Sequence, residues 1–226
     1  TLFRIGYSYR CDDPPAQQVS PVKLRLFPQE NAGLDLLSRM AAQAVRGTAT
    51  LSEALGADPS EFARLAEELH AFEAETTDLH FALMTQMRTS FINPLPREDL
   101  YDISLILLAL MERLDSAAEI ISLYRLTNVS GRAAEQLEVL GRQAELSVAA
   151  MRTLASMDDL EDYWIEMLRL SKRVERTHRM WLAELIHDHK ALVYIRHRDL
   201  ADQLAAASKE FRRLGTYVGN ILVRES

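Results

Sequence analysis

Residues that interrupt regular structure are scarce in this chain: its 226 residues include only eight Gly and seven Pro. A β-sheet would need more β-branched residues than are present, while Leu, Ala, Glu and Arg, all strong helix formers, dominate. One cysteine, Cys11, excludes an internal disulfide and points to a reducing compartment. No apolar run approaches the roughly 20 residues of a membrane span. The longest, Ile103 to Met111, is broken by Ser104 and reads as a buried helix. A basic segment followed by an apolar one, the mark of a secretory signal, is also missing from residues 1–22.

Positive charge is in deficit. Lys and Arg number 26 against 33 Asp and Glu, a formal net charge of -7. An acidic chain is repelled by the nucleic-acid backbone at long range, so no nucleic acid is expected as a partner. The Arg-rich stretch from Arg169 to Arg179 reads as a solvated helix face. Gly-rich phosphate loops, nucleophile elbows and Cys-His pairs do not occur, which leaves nucleophilic catalysis without support.

What is present is helical periodicity. Residues 1–22, with Asp12-Asp13-Pro14-Pro15 and Ser20-Pro21, read as a flexible N-terminal tail. Helices are expected over roughly 29–55, 59–90, 97–127, 131–155, 159–190 and 194–224. Asp58-Pro59-Ser60-Glu61 has the form of a capping box that starts the second helix. Asn93-Pro94-Leu95-Pro96 separates the second from the third. Ser130-Gly131 supplies a cap and a break near the middle. Phe62, Leu65, Leu69, Phe72, Leu79, Leu83 and Met87 form one apolar stripe, as do Trp164, Met167, Val174, Trp181 and Leu185.

Arg97-Glu98-Asp99-Leu100 opens the third helix and His197-Arg198-Asp199-Leu200 opens the sixth, about one hundred residues on. A duplicated unit explains this simply. The expected fold is all-α, six helices forming two antiparallel three-helix bundles. One unit covers residues 23–129 and the other 130–226, within a single domain.

Three segments, Lys23-Leu-Arg-Leu-Phe-Pro28, Phe91-Ile-Asn-Pro-Leu-Pro-Arg-Glu-Asp-Leu100 and Leu160-Glu-Asp-Tyr-Trp-Ile165, give the chain a likeness from about Val22 to Ser226. It resembles the PhoU-like phosphate transport regulators that accompany Pit-type permeases. That resemblance implies a cytoplasmic, non-enzymatic accessory of phosphate transport, peripheral to the membrane through the permease it contacts, and open to homo-oligomerisation. It also implies four E-x-x-x-D motifs that collect iron, magnesium, manganese or zinc, two carboxylates one helical turn apart in each.

Carried over residue by residue, those motifs are damaged here. The first falls on Glu73 and Thr77, beside Asp78; the second on Leu108 and Glu112. The third falls on Ser171 and Glu175, and the fourth on Ala205 and Lys209. Glu73, Glu112 and Glu175 remain as a residual metal set. No cofactor is expected, a weakly bound divalent metal or iron being the alternative. Two rival readings stand beside this one. Glu67/His70, Glu175/His178 and Glu184/His187 have the E-x-x-H spacing of di-iron carboxylate bundle enzymes. A metal-free helical scaffold with an unrelated partner is the other. Partner surfaces are expected at Tyr124, Arg125 and the loop around Asn128, or at the Phe91–Pro96 loop.

Overall fold

The computed structural model describes residues 32–90, 93, 95–188 and 190–225. Cys11, the tail, the Lys23–Pro28 segment, Phe91 and Ile92 lie outside the described residues. Six helices follow one another: α1 (Ala32–Gly56), α2 (Phe62–Thr89), α3 (Arg97–Tyr124), α4 (Gly131–Thr153), α5 (Leu160–Asp188) and α6 (Ala191–Glu225). Among the described residues the chain is all-α.

The helix ends follow local chemistry, with departures from expectation at the start of α2, the end of α3 and the start of α6, which begins at Ala191 rather than near residue 194. Ser130 caps α4 as its sequence suggests, its Oγ accepting from the Arg132 amide at 3.2 Å. Asp58 instead caps a tight turn ahead of α2: its carboxylate accepts from the amide and hydroxyl of Ser60 at 2.9 and 2.7 Å. Glu61 does not reach back to complete a capping box, because Arg64 holds its carboxylate at 2.8 Å. Regular helix therefore begins at Phe62 rather than Pro59. α3 stops three residues early, since Arg125 turns left-handed at φ 49° and the Leu126 amide bonds back to the Ile121 carbonyl at 3.0 Å. Leu126 is thereby buried, an apolar gain that offsets the strained backbone at Arg125.

α1, α2 and α3 touch one another, as do α4, α5 and α6; α1 with α4 and α3 with α6 join the two sets. Among the described helices α2 meets only α1 and α3, and α5 only α4 and α6, so α2 and α5 lie on the outer flanks. One apolar core draws on all six helices.

Burial repeats along the chain in a fixed register. On α1 and α4, Leu37 and Leu137, Gln43 and Gln143, and Ala44 and Ala144 lie one hundred positions apart, and all are buried. On α3 and α6 the same spacing relates Leu100 to Leu200, Met111 to Phe211, Leu114 to Leu214 and Ile121 to Ile221, again all buried. On α2 and α5 the spacing grows by two, relating Leu65 to Met167, Leu79 to Trp181 and Leu83 to Leu185.

α5 and α6 approach closely because two glycines one turn apart clear the path. A Cβ on Gly215 would sit 2.8 Å from the Cβ of Met167, and one on Gly219 would sit 2.8 Å from the Trp164 ring.

Candidate functional site

Along α5, residues 169, 172, 173, 176 and 179 are all basic and fall on the side away from the core stripe of Met167, Val174, Trp181 and Leu185. α6 turns Asp202, Lys209, Arg212 and Arg213 toward the same side. Between the two helices lies a cleft of about 480 Å³ lined by Glu175, His178, Arg179, Asp202, Ala205 and Lys209. The structure thus brings together the third and fourth carried-over motifs, Glu175 with Ala205 and Lys209. It does so with most of their carboxylates replaced.

The acids that remain in the cleft are already engaged. His178 Nε2 lies 2.8 Å from Asp202 Oδ1, and Arg198 holds the other oxygen at 3.3 Å. Arg212 reaches Glu175 at 3.2 Å. Arg179 and Lys209 are exposed and form no ion pair among the described residues. The Arg169–Arg179 run was visible in the sequence, but its convergence with Lys209 and Arg212 was not.

Ser171, the first position of the third motif, is turned inward. The Gln143 amide donates to its Oγ at 3.0 Å, and Ser208 donates to the Gln143 carbonyl oxygen at 3.1 Å. One turn along α4, the buried Ser147 hydroxyl donates to the Gln143 backbone carbonyl and lies 3.1 Å from the Tyr163 hydroxyl. Burial pushes the Tyr163 phenol well above its ordinary range, the Ser147 contact opposing it. A group at the metal-motif position therefore ties α4, α5 and α6 together.

The other half shows the same redeployment. Thr77 donates to Glu73 at 3.1 Å, which satisfies the carboxylate that was expected to ligate. His70 pairs with Asp115 across α2 and α3 at 3.3 Å, and that bond raises the His70 pKa. Asp115 is itself raised: burial outweighs the His70 contact, and its Oδ1 has no hydrogen-bond partner among the described residues. His80 is buried and lies 2.9 Å from Ser104, whose single hydroxyl proton goes to the Tyr101 carbonyl at 2.6 Å. His80 Nδ1 therefore carries the proton and donates, and burial lowers its pKa.

The residual metal set is not assembled. Glu73 is on α2, Glu112 on α3 and Glu175 on α5, and α5 touches neither α2 nor α3. Glu112 and Asp78 are exposed. Among the described residues, no group of three or more His, Cys, Asp or Glu side chains is gathered as a metal ion needs. The donor set does not fit the multinuclear centre that the resemblance implies, since Lys209, a cation, stands where an acid is required. The three E-x-x-H pairs are likewise apart: His70 faces solvent with Asp115, His178 is held by Asp202, and Glu184 accepts from Arg132 at 2.9 Å.

A second concavity lies at the end of the molecule where α3 finishes and α6 begins. It measures about 310 Å³, and Tyr124, Arg125, Leu126, Asn128, Arg196 and His197 are among the residues lining it. At the same end, in the last turns of α3 and α5 and the first turns of α6, Leu123, Ile186, Leu192 and Ile195 are 75%, 63%, 59% and 52% exposed. Leu95, in the opposite-end loop, is buried. Compared with known proteins, the chain matches no family model and no curated protein.

Proposed function

We propose that this chain is a non-enzymatic cytoplasmic accessory of inorganic phosphate transport that works by contact with a Pit-type permease. The observation that carries the reading is the exposed apolar end of the molecule, where α3 and α5 finish and α6 begins: Leu123, Ile186, Leu192 and Ile195 are all exposed there, at the same end as the Tyr124–Asn128 turn and its recess. Four large aliphatic side chains grouped on one end are a docking feature, because leaving them in water forgoes the free energy of burial. The likeness of Phe91–Leu100 and Leu160–Ile165 to the PhoU-like regulators supplies the identity of the partner. The use of Glu73, Ser171 and Glu175 in internal bonds supports a role through contact rather than through a metal centre.

The permease would be met at the cytoplasmic face of the membrane, with this protein peripheral to the bilayer. Capture from detergent-solubilised membranes tests the reading. The native chain should retain a phosphate permease, and Leu192→Glu with Ile195→Glu should release it while the helical signal and melting temperature hold. Native protein that retains no phosphate permease would overturn the proposal.

A further inference from the structure

The charge of this chain is unevenly divided. Residues 32–130 carry 7 Lys and Arg against 15 Asp and Glu, whereas residues 131–226 carry 15 of each. The acidic excess thus belongs to the first half, and the second half exposes its cations along α5 and α6.

We infer that the α5–α6 cleft is a receptor for a phosphate-bearing anion, either free inorganic phosphate or the phosphomonoester of a lipid headgroup. Two acids line it, Glu175 and Asp202, and both are matched: Arg212 neutralises the first, and Arg198 with His178 holds the second. Arg179 and Lys209 then remain as cations without an ion pair among the described residues, one on each wall. With the two lining carboxylates paired to Arg198 and Arg212, the lining cations Arg179 and Lys209 leave two positive charges, so a dianion closes the charge balance. Guanidinium and ammonium donors to phosphate oxygens make charge-assisted bonds, stronger than neutral ones.

The shape agrees with the charge. Ala205 presents nothing beyond its Cβ to the cleft, leaving the middle of its α6 wall open. Through Lys209 the cleft continues into a recess of about 340 Å³ bounded by Arg212, Arg213, Thr216, Tyr217 and Asn220, without a carboxylate in its lining. The Tyr217 hydroxyl is turned away to Asp99 and Asp102, so the recess presents cations and the Asn220 amide. Glu210, the remaining acid beside it, lies 3.5 Å from Arg213. This inference stands apart from the permease reading, since it concerns a different face and needs no protein partner.

Purified protein decides it without any permease present. Titration calorimetry with inorganic phosphate is one arm; cosedimentation with phosphatidylcholine vesicles, with and without phosphatidic acid, is the other. Saturable phosphate binding assigns free phosphate, and phosphatidic-acid-dependent cosedimentation assigns the headgroup; either supports the receptor. The double variant Arg179→Gln, Lys209→Gln should bind at least roughly tenfold more weakly, with its melting temperature unchanged. Ala205→Leu, which fills the open wall and leaves every charge in place, should weaken binding too. No saturable binding in either arm, or binding that both variants leave intact, would overturn the inference.

Discussion

Tyr217 on α6 places its hydroxyl 2.9 Å from Asp99 and 2.9 Å from Asp102, joining the last third of the sixth helix to the first two turns of the third. Asp99 is 2% exposed, and Arg224 completes its shell at 2.5 Å. At the other end of the same seam, Tyr124 donates to Asp199 at 3.1 Å. Asp99 and Asp199 lie one hundred positions apart, as do Tyr124 and Arg224, so an aspartate in the N-terminal part of each helix, in the first turn of α3 and the third turn of α6, meets the far end of the other. Asp99, in the first turn of α3, also suits the helix macrodipole.

Removing the Tyr217 hydroxyl should therefore loosen this seam. Tyr217→Phe leaves the buried Asp99 with Arg224 alone and should cost about 1–3 kcal/mol, read by urea denaturation. The alkaline limb should change as well. Burial first, then the Asp102 and Asp99 contacts, raise the Tyr217 phenol far above its ordinary value. A raised folded-state pKa adds stability that is fully present below the unfolded value of about 10 and is lost as pH climbs above it. The native protein should weaken above about pH 10, less steeply in Tyr217→Phe; an identical slope in both would contradict the assignment.

His80 sets an opposite dependence on the acid side. Its pKa is lowered by burial, so the unfolded chain takes up a proton that the folded chain resists, and stability is lost as pH falls below about 6.5. His70 works against this, because its bond to Asp115 raises its pKa and adds stability at low pH that is lost as pH rises. His70 is largely solvent-exposed, so screening diminishes its share and His80 should dominate. His80→Asn keeps a donor near the Nδ1 position and removes the titration. Thermal melts between pH 7 and 5 should be flatter in that variant than in the native chain.

The glycine pair on α6 makes a steric prediction. Gly219→Ala adds a Cβ against the Trp164 ring, which is not a flexible chain end and cannot yield without repacking. A cost of about 1–3 kcal/mol is expected. Gly56→Ala, where nothing lies within 4 Å, is the control and should not destabilise; α5 and α6 pack independently of these glycines if both variants melt alike.

For metal, the dispersal of Glu73, Glu112 and Glu175 over helices that do not all meet sets the outcome. Protein purified without chelator should carry less than one equivalent of iron, zinc or manganese. Adding these ions should raise the melting temperature little. Elemental analysis finding two or more firmly held ions per chain would contradict this.

How much of this was legible beforehand depended on the range of the interaction. Ser130 and the break between α2 and α3 depend on a few neighbouring residues, and the sequence alone placed them. The core stripes of α2 and α5 follow from a 3.6-residue period that sequence carries directly. Asp58 misled, because its partner Ser60 competes with the expected box and Glu61 is drawn to Arg64. The early end of α3 was hidden as well: a left-handed Arg125 is favourable only when Leu126 finds the core.

Local sequence therefore determined the six helices, the Ser130 cap and the apolar faces, since each depends on neighbours within one or two turns. Tertiary structure alone decided that Ser171 would bond to Gln143 and Ser208, that Glu175 would be held by Arg212 37 residues away, and that Arg179 would face Lys209 across a cleft. The physical reason is that a side chain's charge is written in the sequence, but its partner is set by which helices meet and at what rotation. That is settled by the packing of the whole core, including the two glycines that let α5 and α6 draw close.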